Sequence, residues 1–214
     1  MNKIGKKKAV LPPPAVDQRV ILELITYNPA EYTRHNDLSI EDLLTNIKSD
    51  QVNWINVDCL HEHILIEKLQ AHFNLHTLLI DDVLNDQRPK AEEYDDYLFF
   101  TLKMLYRIDG DHIDYEQISF VLGPNYLISF QEKEGDLFDS FRERIRLDQG
   151  KVRKKKADYL LYRLIDIIVD NYYVVLENIG EKIEDIEEDV LKNPSTQTFQ
   201  KNVRWSLTTA AQDG

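Results

Sequence analysis

Short apolar runs and helical spacing organise the first third of the chain. A β-branched-rich run at residues 20–25 predicts a buried strand, and residues 52–57 predict a second one. Between them, Ser39 followed three residues later by Asp42 forms a capping-box pattern that opens a helix. Apolar residues recur at helical spacing again over residues 64–73. The first third is therefore predicted to run strand, helix, strand, helix.

The middle of the chain has a different pattern. Residues 97–106, 117–122 and 126–131 are strand-like, and turn residues such as Gly123-Pro124-Asn125 separate them, which predicts an antiparallel meander. We expect the crossovers of the first third to be parallel. Together the two parts predict an α/β (α+β) domain at residues 19–150, with a mixed parallel/antiparallel sheet flanked by helices in an α/β/α sandwich.

One long amphipathic segment follows this domain. After a basic run at residues 151–156, no proline occurs from 157 to 191, and apolar residues recur every three or four positions. A helix of ~35 residues at ~1.5 Å each would be a stalk-like rod of about 50 Å, long enough to pack on the domain and on a further surface. Asn193-Pro194 should end it. We therefore expect a flexible leader at 1–18, the domain at 19–150, and the basic run with the long helix at 151–194.

Composition and charge narrow the possible functions. The sequence has 26 Lys and Arg against 38 Asp and Glu, a net charge of −12. This sign repels phosphate backbones and attracts cations, so we do not expect a nucleic-acid partner. Charges interrupt the longest apolar stretches well before the ~20 residues that a membrane span needs, so we expect no span within this chain. Cys59 is the only cysteine, which excludes an internal disulfide and fits a reducing compartment.

Familiar catalytic motifs are absent from the sequence. It contains no GxGxxG, GxxxxGK[ST], HExxH or GxSxG, and it has only seven glycines with which to build a phosphate-binding loop. We therefore expect a protein that is not an enzyme. A soluble metal-dependent enzyme, using the acidic residues described below, stays open as an alternative.

Histidines and the single cysteine form a local cluster. Cys59, His61 and His63 alternate along the chain, and His72 and His76 are four residues apart, so the last two could share a helix face. Imidazole and thiolate groups suit zinc. The spacing matches none of the well-defined zinc patterns, and polar residues are expected at a helix start in any case. A zinc-binding module is a further alternative.

Three aspartates are the candidate metal ligands. Asp81 and Asp82 follow an apolar run, and on a helix such adjacent side chains point about 100° apart, so each can meet a different partner. Carboxylates with intervening waters suit Mg2+, although a solvated helix end is the plainer interpretation. Asp166 interrupts an apolar run of the long helix, where an unpaired buried carboxylate would be costly. Solvent, a cation or a neighbouring chain would satisfy it.

A series of motifs appears in one order between residues 52 and 194. They are HTLLIDDVLN at 76–85, QRPK at 87–90, LKM at 102–104, FQE at 130–132, RERIR at 142–146 and ADYLLY at 157–162. In these motifs the chain closely resembles the N-terminal cytoplasmic domain of the CorA family of magnesium (cobalt) transporters.

The resemblance implies a homopentameric channel for Mg2+, with Co2+ also carried. Each subunit would have an α/β/α domain in the cytoplasm, a long stalk helix and two helices in the cell inner membrane. Regulatory Mg2+, for which Co2+ or Ca2+ can substitute, would bind between subunits and hold the channel closed. By matching motif, Asp82 would face the stalk helix of the neighbouring subunit, and Asp81 and Asp166 would contribute to an adjacent second site.

The sequence departs from the family pattern after Pro194. Residues 195–214 do not keep the expected stalk pattern and contain no carboxylate before Asp213, and no membrane helix or Gly-Met-Asn motif follows. We expect this segment to be a truncated or non-native stalk remnant, with membrane attachment only through helices absent from this sequence. The related ZntB-type zinc transporters share the fold, so the cytoplasmic domain of such a transporter is an alternative function.

Overall fold

A computed structural model describes residues 20–60, 62–107 and 113–192 of the chain. Within these ranges the strands are β1 (Ile21–Tyr27), β2 (Tyr32–His35), β3 (Val52–Asp58), β4 (Lys90–Glu93), β5 (Leu98–Arg107), β6 (Ile113–Leu122) and β7 (Tyr126–Gln131). The helices are α1 (Ile40–Asn46), α2 (His63–Phe73), α3 (Thr77–Leu84), α4 (Asp139–Arg146) and α5 (Ala157–Lys192). The expected leader at 1–18 and the segment at 195–214 lie outside the described residues.

The described strands form one mixed sheet in the order β2-β1-β3-β7-β6-β5-β4. Strands β3 and β7 are parallel, and every other neighbouring pair is antiparallel. The expected meander is confirmed in β5, β6 and β7. The expected parallel crossover between β1 and β3 is wrong, because the unpredicted strand β2 forms a hairpin with β1 and reverses the chain before α1 begins.

Helices cover both faces of this sheet, so the predicted α/β/α arrangement is confirmed. On one face, α1, α2 and α3 pack through Leu43, Leu69 and Leu79 against strand residues such as Ile55. On the opposite face, α4 and α5 pack through residues such as Phe141 and Leu164. Alternate residues of each strand point to opposite faces, which is why one sheet can serve both cores.

The start of α1 agrees with the sequence prediction. Ser39 is the N-cap residue, and its hydroxyl oxygen accepts a hydrogen bond of 3.1 Å from the backbone N–H of Asp42. The hydroxyl also donates to the Asp42 carboxylate at 2.7 Å. The cap fixes where the helix begins and therefore how Leu43 enters the core.

Helix α5 has two different halves. Its 36 residues span about 54 Å. In the first half, the apolar residues Leu160, Leu164 and Ile168 are fully buried against the sheet. In the second half, Ile179 and Ile183 of the same stripe are exposed. None of the helices in the described ranges combines the length and the apolar character that a membrane span requires.

Candidate metal-binding site

One face of helix α3 packs on the sheet. Leu79, Ile80 and Val83 are buried beneath it. At its N-terminus, His76 Nδ1 accepts a hydrogen bond of 3.2 Å from the backbone N–H of Leu78. The backbone N–H of His76 donates to the Tyr97 hydroxyl at 2.9 Å. These contacts set the rotation of α3 about its axis, and so decide which way its two aspartates point.

The two adjacent aspartates of α3 have different surroundings. Asp81 is exposed, whereas the side chain of Asp82 is only 17% exposed. The backbone carbonyl of Asp82 accepts a hydrogen bond of 2.7 Å from Gln117 Nε2, which ties this turn of the helix to β6. The divergence predicted from the helical geometry is therefore present, with Asp81 facing outward and Asp82 facing the edge of the sheet.

Asp82 belongs to a small ionic cluster with Lys90, Glu92 and Tyr94, which we call the Lys90 cluster. Lys90 Nζ lies 2.6 Å from Asp82 Oδ2 and 2.9 Å from Glu92 Oε1. The Tyr94 hydroxyl donates to Glu92 Oε2 at 3.1 Å. The hydrogen bonds with Asp82 and Glu92 raise the pKa of Lys90, and the hydrogen bond from Lys90 lowers the pKa of Glu92. Lys90 is therefore protonated and Glu92 ionised at neutral pH.

This cluster was not predicted from the sequence. Lys90 belongs to the QRPK motif, which has no assigned role, and the sequence suggests the basic run at 151–156, not Lys90, as a counterpart of the acidic stretch that contains Glu92. One signal could have paired them: Lys90 and Glu92 are two residues apart in a strand, so they point to the same side. The sequence pattern does not predict that the four-residue strand β4 lies beside α3.

Asp166 lies on the other side of the molecule. It is on α5, and its carboxylate accepts a charged hydrogen bond of 2.7 Å from Arg163 Nη1, three residues earlier. Helix α5 packs on the face of the sheet opposite to α3. A single chain therefore does not bring Asp166 together with Asp81 and Asp82. Across the described part of the chain, no group of three or more His, Cys, Asp or Glu side chains is arranged to hold a metal ion.

The residues on α3 nevertheless fit a hard divalent cation. Carboxylate oxygens are ligands that Mg2+ accepts, usually one or two of them with several waters. Asp82 already has a cation, the ammonium of Lys90, within 2.6 Å of one oxygen. Asp81 is exposed and makes no ion pair with another described residue. One chain thus offers two oxygen donors that point in different directions, and further ligands would have to come from water or another chain.

The histidine cluster does not assemble within the described residues. His61 and the side chain of His63 lie outside them. Cys59 is buried, and burial is the main cause that raises the pKa of its thiol to about 11. The idea that His72 and His76 share a helix face is wrong. Asn74 adopts a left-handed conformation that ends α2, so His72 lies in the last turn of α2 and His76 caps α3.

Comparison with known proteins gives consistent results. Residues 49–209 match the family described as CorA-like Mg2+ transporter protein. Over 182 residues the chain is 40% identical to the cobalt/magnesium transport protein CorA of Thermotoga maritima, an alignment that covers 84% of this chain and 52% of that relative. The chain thus spans about half the length of this relative.

Two solved structures share the fold. The soluble domain of CorA from Methanocaldococcus jannaschii is 16% identical, with a TM-score of 0.57 over 83% of this chain and 68% of that chain. The ZntB cytoplasmic domain from Vibrio parahaemolyticus is also 16% identical, with a TM-score of 0.61 over the same shares of the two chains. At this identity the structures establish the fold alone.

Proposed function

Because the chain belongs to the family of CorA-like Mg2+ transporter proteins, we propose that it is the ion-sensing regulatory domain of a divalent-cation transporter. The transported ions are Mg2+ and Co2+, as the name of the Thermotoga maritima relative suggests. The observation that supports ion sensing is the position of Asp82, a half-buried carboxylate that already binds a cationic group at the surface of the domain. We assign these carboxylates a regulatory role and not a catalytic one, since ion sensing does not require a covalent bond to be made or broken.

The sensing mechanism rests on carboxylates that belong to different copies of the chain. Asp81 and Asp82 project from α3, whereas Asp166 projects from α5 on the opposite face of the sheet. In a homopentamer, the α3 side of one copy would meet the α5 side, or the adjoining stalk, of the next. A bound Mg2+ supplies positive charge between these carboxylates. Without that charge the carboxylates repel one another, and the repulsion favours the open arrangement.

The remainder of the transporter would supply the membrane helices. We place this domain on the cytoplasmic side of the cell inner membrane, where it can respond to the concentration of free Mg2+ in the cytosol. In this arrangement the long helix α5, whose second half presents exposed apolar residues, connects the domain to the rest of the assembly.

A zinc transporter of the ZntB type is the second candidate. The structure from Vibrio parahaemolyticus supports it through the fold. The sequence comparison favours Mg2+ and Co2+, because the relative named for those ions is 40% identical whereas the ZntB structure is 16% identical. A metal-dependent enzyme has less support, since the family is one of transporters.

Thermal unfolding of this chain against added Mg2+, Ca2+ and Zn2+ tests the ion site. An ion that binds only the native state stabilises it by RT ln(1 + [L]/Kd), about 2.7 kcal/mol at 100 times Kd. We expect millimolar Mg2+ to raise the melting temperature, and Asp82→Ala to remove most of that rise. Asp86→Ala is the matched control, because Asp86 pairs with Lys103 and has no contact with the Lys90 cluster. An Asp82→Ala protein that responds to Mg2+ as the native chain does would contradict the assignment, as would a native chain that does not respond.

A mixing experiment tests whether the site lies between chains. One variant, Asp81→Asn with Asp82→Asn, lacks the carboxylates of the α3 side, and a second variant, Asp166→Asn, lacks the carboxylate of the α5 side. If the two sides meet across chains, each variant alone should lose Mg2+-dependent self-association. A mixture should form one-to-one pairs in Mg2+, because the intact α3 side of the Asp166→Asn chain can meet the intact α5 side of the double variant. Sedimentation velocity measures both results, and pairing by either variant alone would contradict the arrangement.

A further inference from the structure

We propose that Lys90 is a built-in counter-cation that competes with the divalent ion for Asp82 and thereby sets the ion affinity of the site. This inference rests on the proposed function, since it concerns the regulation of that same site. The observation that carries it is geometric: the ammonium of Lys90 lies 2.6 Å from Asp82 Oδ2, in the place where a cation bound to that oxygen would be found.

The position of Lys90 is built into the fold. Strand β4 pairs with β5 so that Lys90 is opposite Thr101 and Glu92 is opposite Phe99, and the two charged residues point to the same side of the strand. The Lys90 ammonium lies 5.9 Å from the centre of the Phe99 ring, an additional favourable contact. The ammonium is therefore held at Asp82 by strand pairing, by a second carboxylate and by an aromatic ring.

Lys90 is also able to leave. Its side chain is 30% exposed, and a lysine ammonium is a compact point charge on a flexible stem. When a divalent ion takes Asp82, Glu92 still offers Lys90 an acceptor at 2.9 Å, and the Tyr94 hydroxyl holds Glu92 in that position. The chain thus keeps a resting place for the displaced ammonium, which makes the exchange of cations at Asp82 reversible without leaving Lys90 unpaired.

The consequence is a weaker and adjustable ion site. Two carboxylates share one ammonium, so the Lys90 cluster keeps a net negative charge and still attracts a divalent ion. The ion must nevertheless bind beside, or in place of, a positive charge that is already present. A divalent ion about 6 Å from a unit positive charge loses about tenfold in affinity even at the dielectric constant of water. The cluster would therefore respond only when the ion is abundant.

The first experiment measures the ion pair itself in protein treated with a chelator. Lys90→Met keeps the length and the apolar stem of the side chain and removes the charge. Asp82→Asn removes the charge of the partner. In a double-mutant cycle by urea unfolding, we expect the two changes to be non-additive, with Lys90→Met having less effect once Asp82 is replaced. Additive effects would overturn the inference, because they would mean that the two side chains do not interact in solution.

The second experiment measures the competition by titrating MgCl2 into the native chain and Lys90→Met, with NaCl added to keep the ionic strength constant. We expect the Mg2+ dissociation constant to fall about tenfold in Lys90→Met. Lys103→Met is the matched control. It makes the same change of charge beside α3 and also removes a cation close to an aromatic ring, but the native Lys103 pairs with Asp86 and not with Asp82. We expect less than a twofold change in this control.

The outcomes separate the two proposals. A native chain that binds Mg2+ through Asp82, with no tighter binding in Lys90→Met than in Lys103→Met, would overturn the role of Lys90 and leave the proposed function in place. If Mg2+ binds to neither the native chain nor Lys90→Met, the proposed ion site itself fails and the inference fails with it. If the native chain binds Mg2+ and the affinity rises in Lys90→Met but not in Lys103→Met, both the proposed function and the role of Lys90 are supported.

Discussion

Replacing Arg142 with methionine should strongly destabilise the chain, because Arg142 neutralises a buried acidic cluster on the α4 side of the sheet. Its guanidinium donates to both oxygens of Asp136, each at 2.6 Å, and to Glu23 Oε2 at 2.7 Å. It also lies 4.8 Å from the centre of a Trp54 ring. Burial alone would lower the pKa of Arg142, but the hydrogen bonds and charges of Asp136 and Glu23 outweigh it and raise the pKa. The positive charge is therefore permanent.

The expected loss follows from the partners that remain. Breaking a buried ion pair by removing one member costs about 3–5 kcal/mol. Glu23 keeps a second cation, since Arg34 Nε lies 2.5 Å from its Oε1. Asp136 keeps only the backbone N–H of Phe138 at 2.7 Å among its described contacts. One carboxylate is thus left without a counter-charge, which places the loss near the lower figure, about 3 kcal/mol. For a domain of this size that corresponds to a melting temperature lower by about 10 °C.

Urea unfolding followed by far-UV circular dichroism measures this loss. The control is Arg146→Met on the same helix, because Arg146 makes only an exposed pair with Glu143 and such pairs contribute about 0–1 kcal/mol. The double variant Arg142→Met with Asp136→Asn removes the buried charge as well and should recover more than half of the loss. The reasoning would be refuted if Arg142→Met lost less than about 1 kcal/mol, or no more than Arg146→Met.

Three further predictions concern other parts of the fold. Burial is the main cause that raises the pKa of Asp58 to about 7, so between pH 4 and pH 7 the native state holds a proton that the unfolded state has lost, and stability falls as pH rises. The free energy of unfolding of Asp58→Asn should therefore rise relative to that of the unchanged chain by about 1 kcal/mol for each pH unit in that window. Urea unfolding at each pH measures the difference, and a difference that does not change with pH would contradict this. Ser39→Ala removes the α1 cap and should cost about 1 kcal/mol in the same assay, whereas no loss would mean that the cap is dispensable. Gly123→Ala would place its Cβ 2.2 Å from the Tyr126 ring and should cost about 1–3 kcal/mol, with a change in near-UV circular dichroism; a native spectrum at unchanged stability would show that the ring moves freely.

Much of the fold could be predicted because its central elements have strong hydrophobic patterns. Strand β3 and helix α5 were both placed within a few residues, and the Ser39 cap located the start of α1. Strands β2 and β4 were missed, since each has four residues, lies at an edge of the sheet and lacks an apolar run. Without β2, the predicted relative direction of β1 and β3 was also wrong, because the β1–β2 hairpin adds one reversal of the chain between them.

The candidate site was less predictable for a related reason. Asp81, Asp82 and Asp166 were identified from motifs, but their partners depend on elements that a sequence pattern does not place. Lys90 reaches Asp82 only because the short strand β4 lies beside α3. The role of Arg142 was missed because a charged residue on an amphipathic helix is normally expected at the surface. Buried acidic residues within apolar strands, such as Glu23 between Leu22 and Leu24, were the available signal.

The Lys90 cluster and the ion pairs of Arg142 differ in ways that suit different tasks. Arg142 is 5% exposed and binds Asp136 through two parallel hydrogen bonds in a planar fork. Removing that cation would uncover a buried charge, so no ion in solution can exchange with it at low cost. Lys90 is partly exposed, makes a single contact with Asp82 and has Glu92 as a second acceptor. Displacing it leaves no buried charge uncovered. Under the proposed function, an exchangeable cation at Asp82 is what a sensor of ion concentration would need, whereas the fixed cation at Asp136 would serve the stability of the domain.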